Sequence, residues 1–168
     1  MGATRVLRPA VEELIADGSE VVGVARSRRD LVEAKSQVGP SFDSLAVDYL
    51  DLAALAALAD FGAYDAALIY APGATTAAMQ LFRNVVKGPI VEILGSQAAG
   101  EHPDAPFSLD QIPVRYPDRW NALVLGWTAD YRWHSPEQIS QAALNALRMR
   151  ANGQLGLLRP WADRPNHN

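Results

Sequence analysis

Apolar positions along the chain alternate between two periodicities. Residues 5–17 place Leu7, Val11 and Leu14 on one face, at the spacing of an amphipathic helix. Residues 20–25 (EVVGVA) then form a short, continuous apolar run, which is typical of a buried strand. Patterns of these two kinds follow one another to the end of the chain.

The remaining elements can be predicted from the same two patterns and from their boundaries. Predicted strands follow at 45–49, 65–71, 90–95, 121–127 and 154–158. Predicted helices run from Ser27 to Gly39, over 51–61, over 75–87 and over 136–150. Ser27, Asp51 and Ser135 precede their helices and can cap them, and Ser135 is followed by Pro136 at a favourable position. Residues 97–118 carry several prolines and are expected to be irregular, and the final residues 164–168 (RPNHN) are expected to be loose.

Strands that alternate with helices indicate a parallel sheet with helices on both faces. We therefore expect an α/β fold, a three-layer, doubly wound parallel sheet of the Rossmann-like kind. The 168 residues show no repeat and no linker, so a single domain over 1–168 is expected.

The composition excludes several classes of site. The chain has no cysteine, and His102, His134 and His167 lack the spacing of metal ligands, so we expect no metal centre. The net charge of -4 argues against nucleic acid as a partner. Neither a membrane span nor a signal peptide is visible, so we expect a cytoplasmic protein without a membrane partner.

In a doubly wound sheet, ligands bind at the carboxyl ends of the strands, so the residues just after each predicted strand carry the most information. These segments are Gly2-Ala3-Thr4, Arg26-Ser27-Arg28-Arg29, Asp48-Tyr49, Ala71-Pro72-Gly73 and Gly95-Ser96-Gln97. Together they resemble the short-chain dehydrogenase/reductase superfamily, in its extended or atypical branches, over about residues 1–100.

The resemblance implies a nicotinamide dinucleotide site. Gly2, Arg5 and Arg8 stand at the positions of the three loop glycines, and Arg26 at the position that prefers the 2′-phosphate of NADP(H). Ser96 matches the catalytic serine of the family. The cofactor-binding residues implied are Gly2, Thr4, Arg5, Arg26, Ser27, Arg29, Asp48, Tyr49, Ala71, Pro72 and Gly73.

The residues themselves leave two interpretations of this site open. Arg26, Arg28 and Arg29 open a helix, where cations oppose the helix dipole, which favours a phosphate ligand over a merely solvated helix start. Arg5 either offers its side chain to a phosphate or marks a loop that has lost its glycines and binds nothing.

The sequence departs more clearly from the catalytic motif of the family. Tyr116 follows the serine strand, but Trp120 stands where the family has lysine, and Pro117 interrupts the helix that would carry both. Tyr116 and His134 remain as candidate proton donors. The expected function is an NADP(H)-binding oxidoreductase acting on a small carbonyl or alcohol substrate. The alternative is a non-catalytic oligomeric scaffold or nucleotide sensor.

All 4 tryptophans lie at or beyond residue 120. They are consistent with an apolar pocket, with a subunit interface, or with ordinary core packing. We expect a homo-oligomer, because an interface would use such residues.

The first strand of the dinucleotide fold precedes the glycine loop and is central in the sheet. Here the loop itself begins at Gly2. We therefore expect a truncated or mis-started relative, whose strands at 20–25 and 65–71 pair directly or through a segment of another chain. An open slot would leave buried backbone groups unpaired, at about 1–3 kcal/mol each.

Overall fold

The computed structural model describes residues 3–100, 108–109 and 119–165. The helices are α1 (Arg8–Ala16), α2 (Arg28–Val38), α3 (Leu52–Leu55), α4 (Thr76–Val85) and α5 (Pro136–Met149). The strands are β1 (Val21–Ala25), β2 (Phe42–Ala46), β3 (Ala67–Ile69), β4 (Ile90–Leu94), β5 (Trp120–Leu125) and β6 (Gly153–Leu155). Short 3₁₀ helices cover Ala56–Phe61, Ser96–Ala99 and Trp161–Asp163.

Every pairing between these strands is parallel, as the alternation of strands and helices predicts. The strands form a two-stranded sheet, β1-β2, and a four-stranded sheet, β3-β4-β5-β6. The predicted α/β fold with a parallel sheet between helices is confirmed.

Helices cover both faces of the strands, and adjacent residues of β4 show this directly. Ile90 packs in a cluster with Met79 and Phe82 of α4. Val91, whose side chain points to the opposite face, packs in a cluster with Ile139 of α5. α1 lies beside α5 on that second face, so the sheets form the middle of three layers. Within the described ranges, no helix is long and apolar enough to cross a membrane.

The starts of α2, α3 and α5 lie where the sequence predicts them. The side chains of Ser27 and Asp51 accept hydrogen bonds from the backbone amides of Asp30 and Ala54. Ser135 forms a complete capping box at the start of α5. These starts depend on a side chain and an amide three residues apart, so local sequence determines them.

Several element boundaries differ from the prediction, and three of the differences have a local cause. The strand expected at 45–49 is Phe42–Ala46, because Asp48 already belongs to a turn in which its carboxylate accepts from the amide of Leu50. The helix expected over 51–61 is α-helical only to Leu55 and continues as a 3₁₀ helix to Phe61. The strand expected over 154–158 ends at Leu155, because Gly156 has a φ of 80° and leaves the extended conformation.

β1 and β3, the neighbouring edges of the two sheets, are not hydrogen-bonded to each other. Of the two alternatives expected, direct pairing of these strands is therefore wrong, and pairing through a segment of another chain stays a prediction. Residues 3–7 form turns, and among the described residues no strand lies between these edges. Packing holds the sheets together instead, since Val24 of β1 and Ile69 of β3 belong to one core cluster. On the other face, Arg148 of α5 forms an ion pair of 2.7 Å with Glu13 of α1.

Candidate functional site

A cleft of about 720 Å³ opens at the carboxyl ends of β3, β4 and β5. This is the edge of a parallel sheet at which ligands bind. The lining is mostly apolar, and its polar members come from several elements. The described lining residues include Tyr70, Ala71, Pro72, Gly73, Glu92, Ser96, Trp133, His134 and Arg164.

Ser96 begins the 3₁₀ helix that follows β4, and it lines the cleft. The residue is only 1% exposed, and its Oγ has no hydrogen-bond partner among the described residues. An unpaired buried hydroxyl costs free energy, so such a group in a cleft is a candidate for bonding a ligand. Ser96 thus lies where the sequence predicts the serine to lie, at the end of the strand.

His134 also lines the cleft, but both of its ring nitrogens lie against other groups of the protein. Nδ1 lies 3.3 Å from Oε1 of Gln138, which also accepts from the amide of Ser135 and is therefore a carbonyl oxygen. Nδ1 must then carry the proton. Nε2 is buried and lies so close to Gly156 that any Cβ on this glycine would overlap it. This geometry makes His134 a poor candidate for the proton donor.

Tyr116, the other candidate donor, lies outside the described residues. No lysine lines the described part of the cleft. Lys35 forms an ion pair of 2.9 Å with Asp43, and Lys87 donates to the carbonyl of Asn84. The tyrosine–lysine pair of the family therefore has no lysine to complete it within the described cleft.

The basic segment after β1 lies outside the cleft. The side chains of Arg26, Arg28 and Arg29 are exposed, and none has an ion pair among the described residues. The Ser27 hydroxyl instead caps α2, where it accepts from the amide of Asp30. The arginines are thus available to an anionic ligand, whereas Ser27 is used by the fold.

The segments after β2 and β3 approach each other. The Tyr49 hydroxyl donates to the carbonyl of Pro72 over 2.6 Å. Ala71 is buried, whereas Pro72 and Gly73 are exposed in a turn at the cleft. Asp48 is exposed, and its carboxylate is used in its own turn.

The loop before α1 places its residues in different surroundings. Gly2 lies outside the described residues, Thr4 is half-buried and Arg5 is exposed. Arg8 bonds Glu12 at 2.9 Å and Gln37 of α2 at 2.8 Å. Arg8 therefore joins α1 to α2, and its guanidinium is not directed at a phosphate group.

Two features of the cleft have no counterpart in the sequence prediction. Glu92 of β4 is 8% exposed and accepts from the indole nitrogen of Trp120 over 3.0 Å. Arg164, expected in a loose tail, lies in the cleft wall with Trp133. The tryptophans near arginines in the last part of the sequence are the one signal for such a wall. No metal-binding group of histidine, aspartate and glutamate side chains is present in the described ranges.

The sequence matches no protein-family model and no curated protein. Solved structures of similar fold include a short chain dehydrogenase from Bacillus anthracis, with 13% identity, a TM-score of 0.66 and 92% of each chain covered. A 3-ketoacyl-(acyl-carrier-protein) reductase from Brucella melitensis complexed with NADH has 15% identity, a TM-score of 0.65 and 93% of each chain covered.

A third similar structure is a short chain oxidoreductase from Pseudomonas aeruginosa that contains an atypical catalytic center. Its identity is 13% and its TM-score 0.67, with 92% of this chain and 93% of that chain covered. The chain therefore has the fold of short-chain dehydrogenases/reductases.

Proposed function

We propose that this protein binds NADP(H) across the carboxyl edge of its sheets and is an oxidoreductase for a small carbonyl or alcohol substrate. The observation that carries the proposal is Ser96, a buried hydroxyl without a partner among the described residues, in a cleft at the edge where such folds bind ligands. The similar fold of an NADH-bound reductase supports a nicotinamide cofactor.

The residues around the cleft fit the nicotinamide half of such a cofactor. The turn Ala71-Pro72-Gly73 lies at the end of β3, and Gly73 has a φ of 78° with open space on the side where a Cβ would stand. Backbone without a side chain can approach a ligand closely. When bound, the nicotinamide supplies the hydride that a carbonyl carbon accepts.

Ser96 donates a hydrogen bond to the substrate oxygen in this proposal. That bond polarises the carbonyl and holds it in place, which is how fixed donors stabilise developing negative charge. Tyr116 is the proposed proton donor, since both nitrogens of His134 are engaged or shielded by the fold.

The arginines after β1 carry the proposed preference for NADP(H). Arg26, Arg28 and Arg29 are exposed beside the carboxyl end of β1, and guanidinium groups bind phosphate with paired hydrogen bonds. Arg5, also exposed, is proposed to contact the pyrophosphate.

A second function is favoured by the engagement of Arg8 with Gln37 and by the lack of a lysine in the described cleft. Both features suit a non-catalytic nucleotide sensor or an oligomeric scaffold. Light scattering after size-exclusion chromatography reports the oligomeric state, and a turnover assay separates the sensor from the enzyme.

The test is a thermal-shift titration with NADPH and NADH, followed by an assay of NADPH oxidation with small carbonyl compounds. NADPH should raise the melting temperature more than NADH does, and Arg26→Ala should remove that difference. Arg150→Ala, which removes an exposed arginine at the end of α5, should keep it. No shift with either cofactor would overturn cofactor binding. Turnover that Ser96→Ala leaves unchanged would overturn the role of Ser96.

A further inference from the structure

The short 3₁₀ helix Ser96–Ala99, which we call the Ser96 helix, is bound at its far end by Arg159. Nη2 of Arg159 donates to the carbonyls of Ala99 and Gly100 over 3.0 and 3.3 Å. The last carbonyls of a helix have no partner within the helix itself, so their hydrogen bonds must come from elsewhere. Arg159, 60 positions after Ala99 in the chain, supplies them.

Arg159 is itself held in place by the segment around it. Its Nη1 donates to the carbonyl of Leu158 over 2.7 Å. Leu158 is buried in a cluster with residues of β5, and Ala99 packs against the same cluster. The guanidinium carbon also lies 5.7 Å from the ring centre of Trp161, within the range of cation–π attraction. The Ser96 helix is therefore attached to a segment that is anchored on β5.

The Ser96 helix has little structure of its own. Its four residues form a single turn, with bonds from the amide of Ala98 to the carbonyl of Gly95 and from the amide of Gly100 to that of Gln97. A single 3₁₀ turn is marginal without support from the rest of the protein. The Ser96 hydroxyl has no partner among the described residues, so it does not hold the turn. Its place in the cleft therefore depends on the packing of the turn and on the bonds at the far end.

We propose that Arg159 is a positioning residue, which keeps the Ser96 hydroxyl at the place in the cleft where it meets the substrate oxygen. This inference rests on the proposed function, in which that hydroxyl polarises the carbonyl. A donor stabilises developing charge best when its direction is set before the reaction, and small displacements cost much of the rate. Arg159 is not part of the described cleft lining, so it acts through Ser96 and not on the substrate.

The first experiment uses a thiol as a reporter and needs no turnover. The chain has no cysteine, so Ser96→Cys introduces a single thiol at the proposed site. Ser96 is only 1% exposed, so iodoacetamide should modify this thiol slowly, as mass spectrometry can follow. Adding Arg159→Met should speed the modification about tenfold, the effect of losing one charge-assisted hydrogen bond. Equal rates with and without Arg159→Met would overturn the proposal.

Two further variants make this result specific to the guanidinium of Arg159. Arg159→Lys should speed the modification less than Arg159→Met does, because lysine keeps the charge without the planar group. The matched control is Arg119→Met, since Arg119 also donates to three carbonyls, those of Arg83, Val86 and Lys87, over 2.7 to 3.0 Å.

Arg119 precedes β5, whose carboxyl end lies at the cleft, so the control residue lies at the opposite edge of the sheet. Arg119→Met should lower the melting temperature but leave the rate of thiol modification unchanged. An increase as large as that in Arg159→Met would show general loosening of the fold and would overturn the proposal.

Hydrogen exchange gives the same comparison with the natural serine in place. The amides of Ala98 and Gly100, which close the turn, should exchange about tenfold faster in Arg159→Met than in wild type, because the turn opens locally. In Arg119→Met they should exchange at the wild-type rate. Exchange that Arg159→Met leaves unchanged would overturn the proposal, also where Ser96→Cys fails to fold.

Turnover shows whether Arg159 acts through Ser96. NADPH oxidation with cyclohexanone and with benzaldehyde is compared for wild type, Arg159→Met, Ser96→Ala and the double variant. Arg159→Met should lower kcat about tenfold and change KM little, because the bond from the hydroxyl strengthens in the transition state. In the Ser96→Ala background the same substitution should have almost no further effect. A loss of kcat that persists in that background would overturn the proposal.

The two kinds of measurement separate this inference from the proposed function. If Arg159→Met exposes the thiol but wild type shows no turnover, the placement of the hydroxyl by Arg159 is supported and the oxidoreductase is overturned. If Ser96→Ala removes turnover while Arg159→Met changes neither the thiol nor the amides, the proposed function is supported and the role of Arg159 is overturned.

Discussion

The hydroxyl of Tyr49 donates a hydrogen bond of 2.6 Å to the carbonyl oxygen of Pro72, and so joins the segment after β2 to the segment after β3. The two strands belong to different sheets. This bond therefore bridges the sheets at their carboxyl edge. It also connects the two-stranded sheet, which carries the exposed arginines after β1, to the Ala71-Pro72-Gly73 turn at the cleft.

Tyr49→Phe should lower the free energy of unfolding by about 0.5 to 1 kcal/mol, since the bond is exposed and a typical net contribution is modest. Urea denaturation followed by circular dichroism measures the change. Tyr131→Phe, an exposed tyrosine outside the two sheets, is the matched control and should have no effect. Equal losses in the two variants would show that the bond between the sheets contributes nothing.

Three features of the structure require glycine at position 156. Its φ is 80°, and a Cβ on this residue would overlap both Nε2 of His134 and the carbonyl oxygen of Trp127. Gly18 has a similar φ of 86° but open space around it. Gly18→Ala should lower the free energy of unfolding by about 1 kcal/mol, because only the strain of the left-handed conformation is added.

Gly156→Ala should lower the free energy of unfolding by about 1 to 3 kcal/mol more than Gly18→Ala does. The added methyl group also overlaps a histidine ring and a backbone carbonyl. Thermal and urea unfolding of the two variants give the comparison. The histidine ring should also move, which would change the NMR signals of His134. Similar stability of the two variants would mean that the contacts around Gly156 relax at little cost.

The helix starts and most of the strands can be predicted because they depend on neighbouring residues. Ser135, for example, caps α5 through an amide three residues away. The apolar pattern predicts the second strand over 45–49, about three residues later than the observed Phe42–Ala46. The run 45–49 looks equally apolar, and the turn at Asp48 depends on a single side-chain hydrogen bond.

Only part of the cleft lining could be predicted from the sequence, and the reason is physical. Ser96 and Ala71 follow buried strands, so the topology of a parallel sheet brings them to one edge. Arg164 reaches the same cleft through contacts with Trp133 and Trp161 and through Arg159, which bonds Ala99 far earlier in the chain. Contacts over such sequence distances leave no periodic signal.

Burial raises the pKa of the Tyr64 phenol above its ordinary value of 10.0, and its hydroxyl donates to the carbonyl of Leu58. The folded protein therefore holds this proton at a pH where the unfolded chain has lost it. Since the unfolded state then binds fewer protons, stability should fall as the pH rises above the unfolded value of 10.0.

Tyr64→Phe removes the titrating group, so the alkaline fall in the unfolding free energy should become less steep between about pH 9 and about pH 11. The variant also loses the bond to Leu58, so the slopes of the two proteins are compared and not their absolute stabilities. Urea midpoints across this pH range measure the slopes. Tyr131→Phe is again the control, and parallel curves for wild type and Tyr64→Phe would contradict the prediction.

The facing edges of β1 and β3 offer a direct test of how the two sheets are connected. Neighbouring parallel strands lie about 4.8 Å apart and share a full row of hydrogen bonds, which these edges do not form with each other. Ala3 packs near Gly23 of β1, since its Cβ lies 3.3 Å from the position that a Cβ on Gly23 would take. An extended segment joined ahead of residue 1 would thus start close to β1.

An apolar segment of about six residues rich in valine and isoleucine, fused ahead of Met1, should raise the free energy of unfolding, because it can pair with both edges. Hydrogen exchange should show new protection of backbone amides in β1 and β3. A glycine–serine segment of equal length is the control and should change neither quantity. If the apolar segment also leaves stability and exchange unchanged, packing between the helix layers alone is sufficient to hold the sheets together.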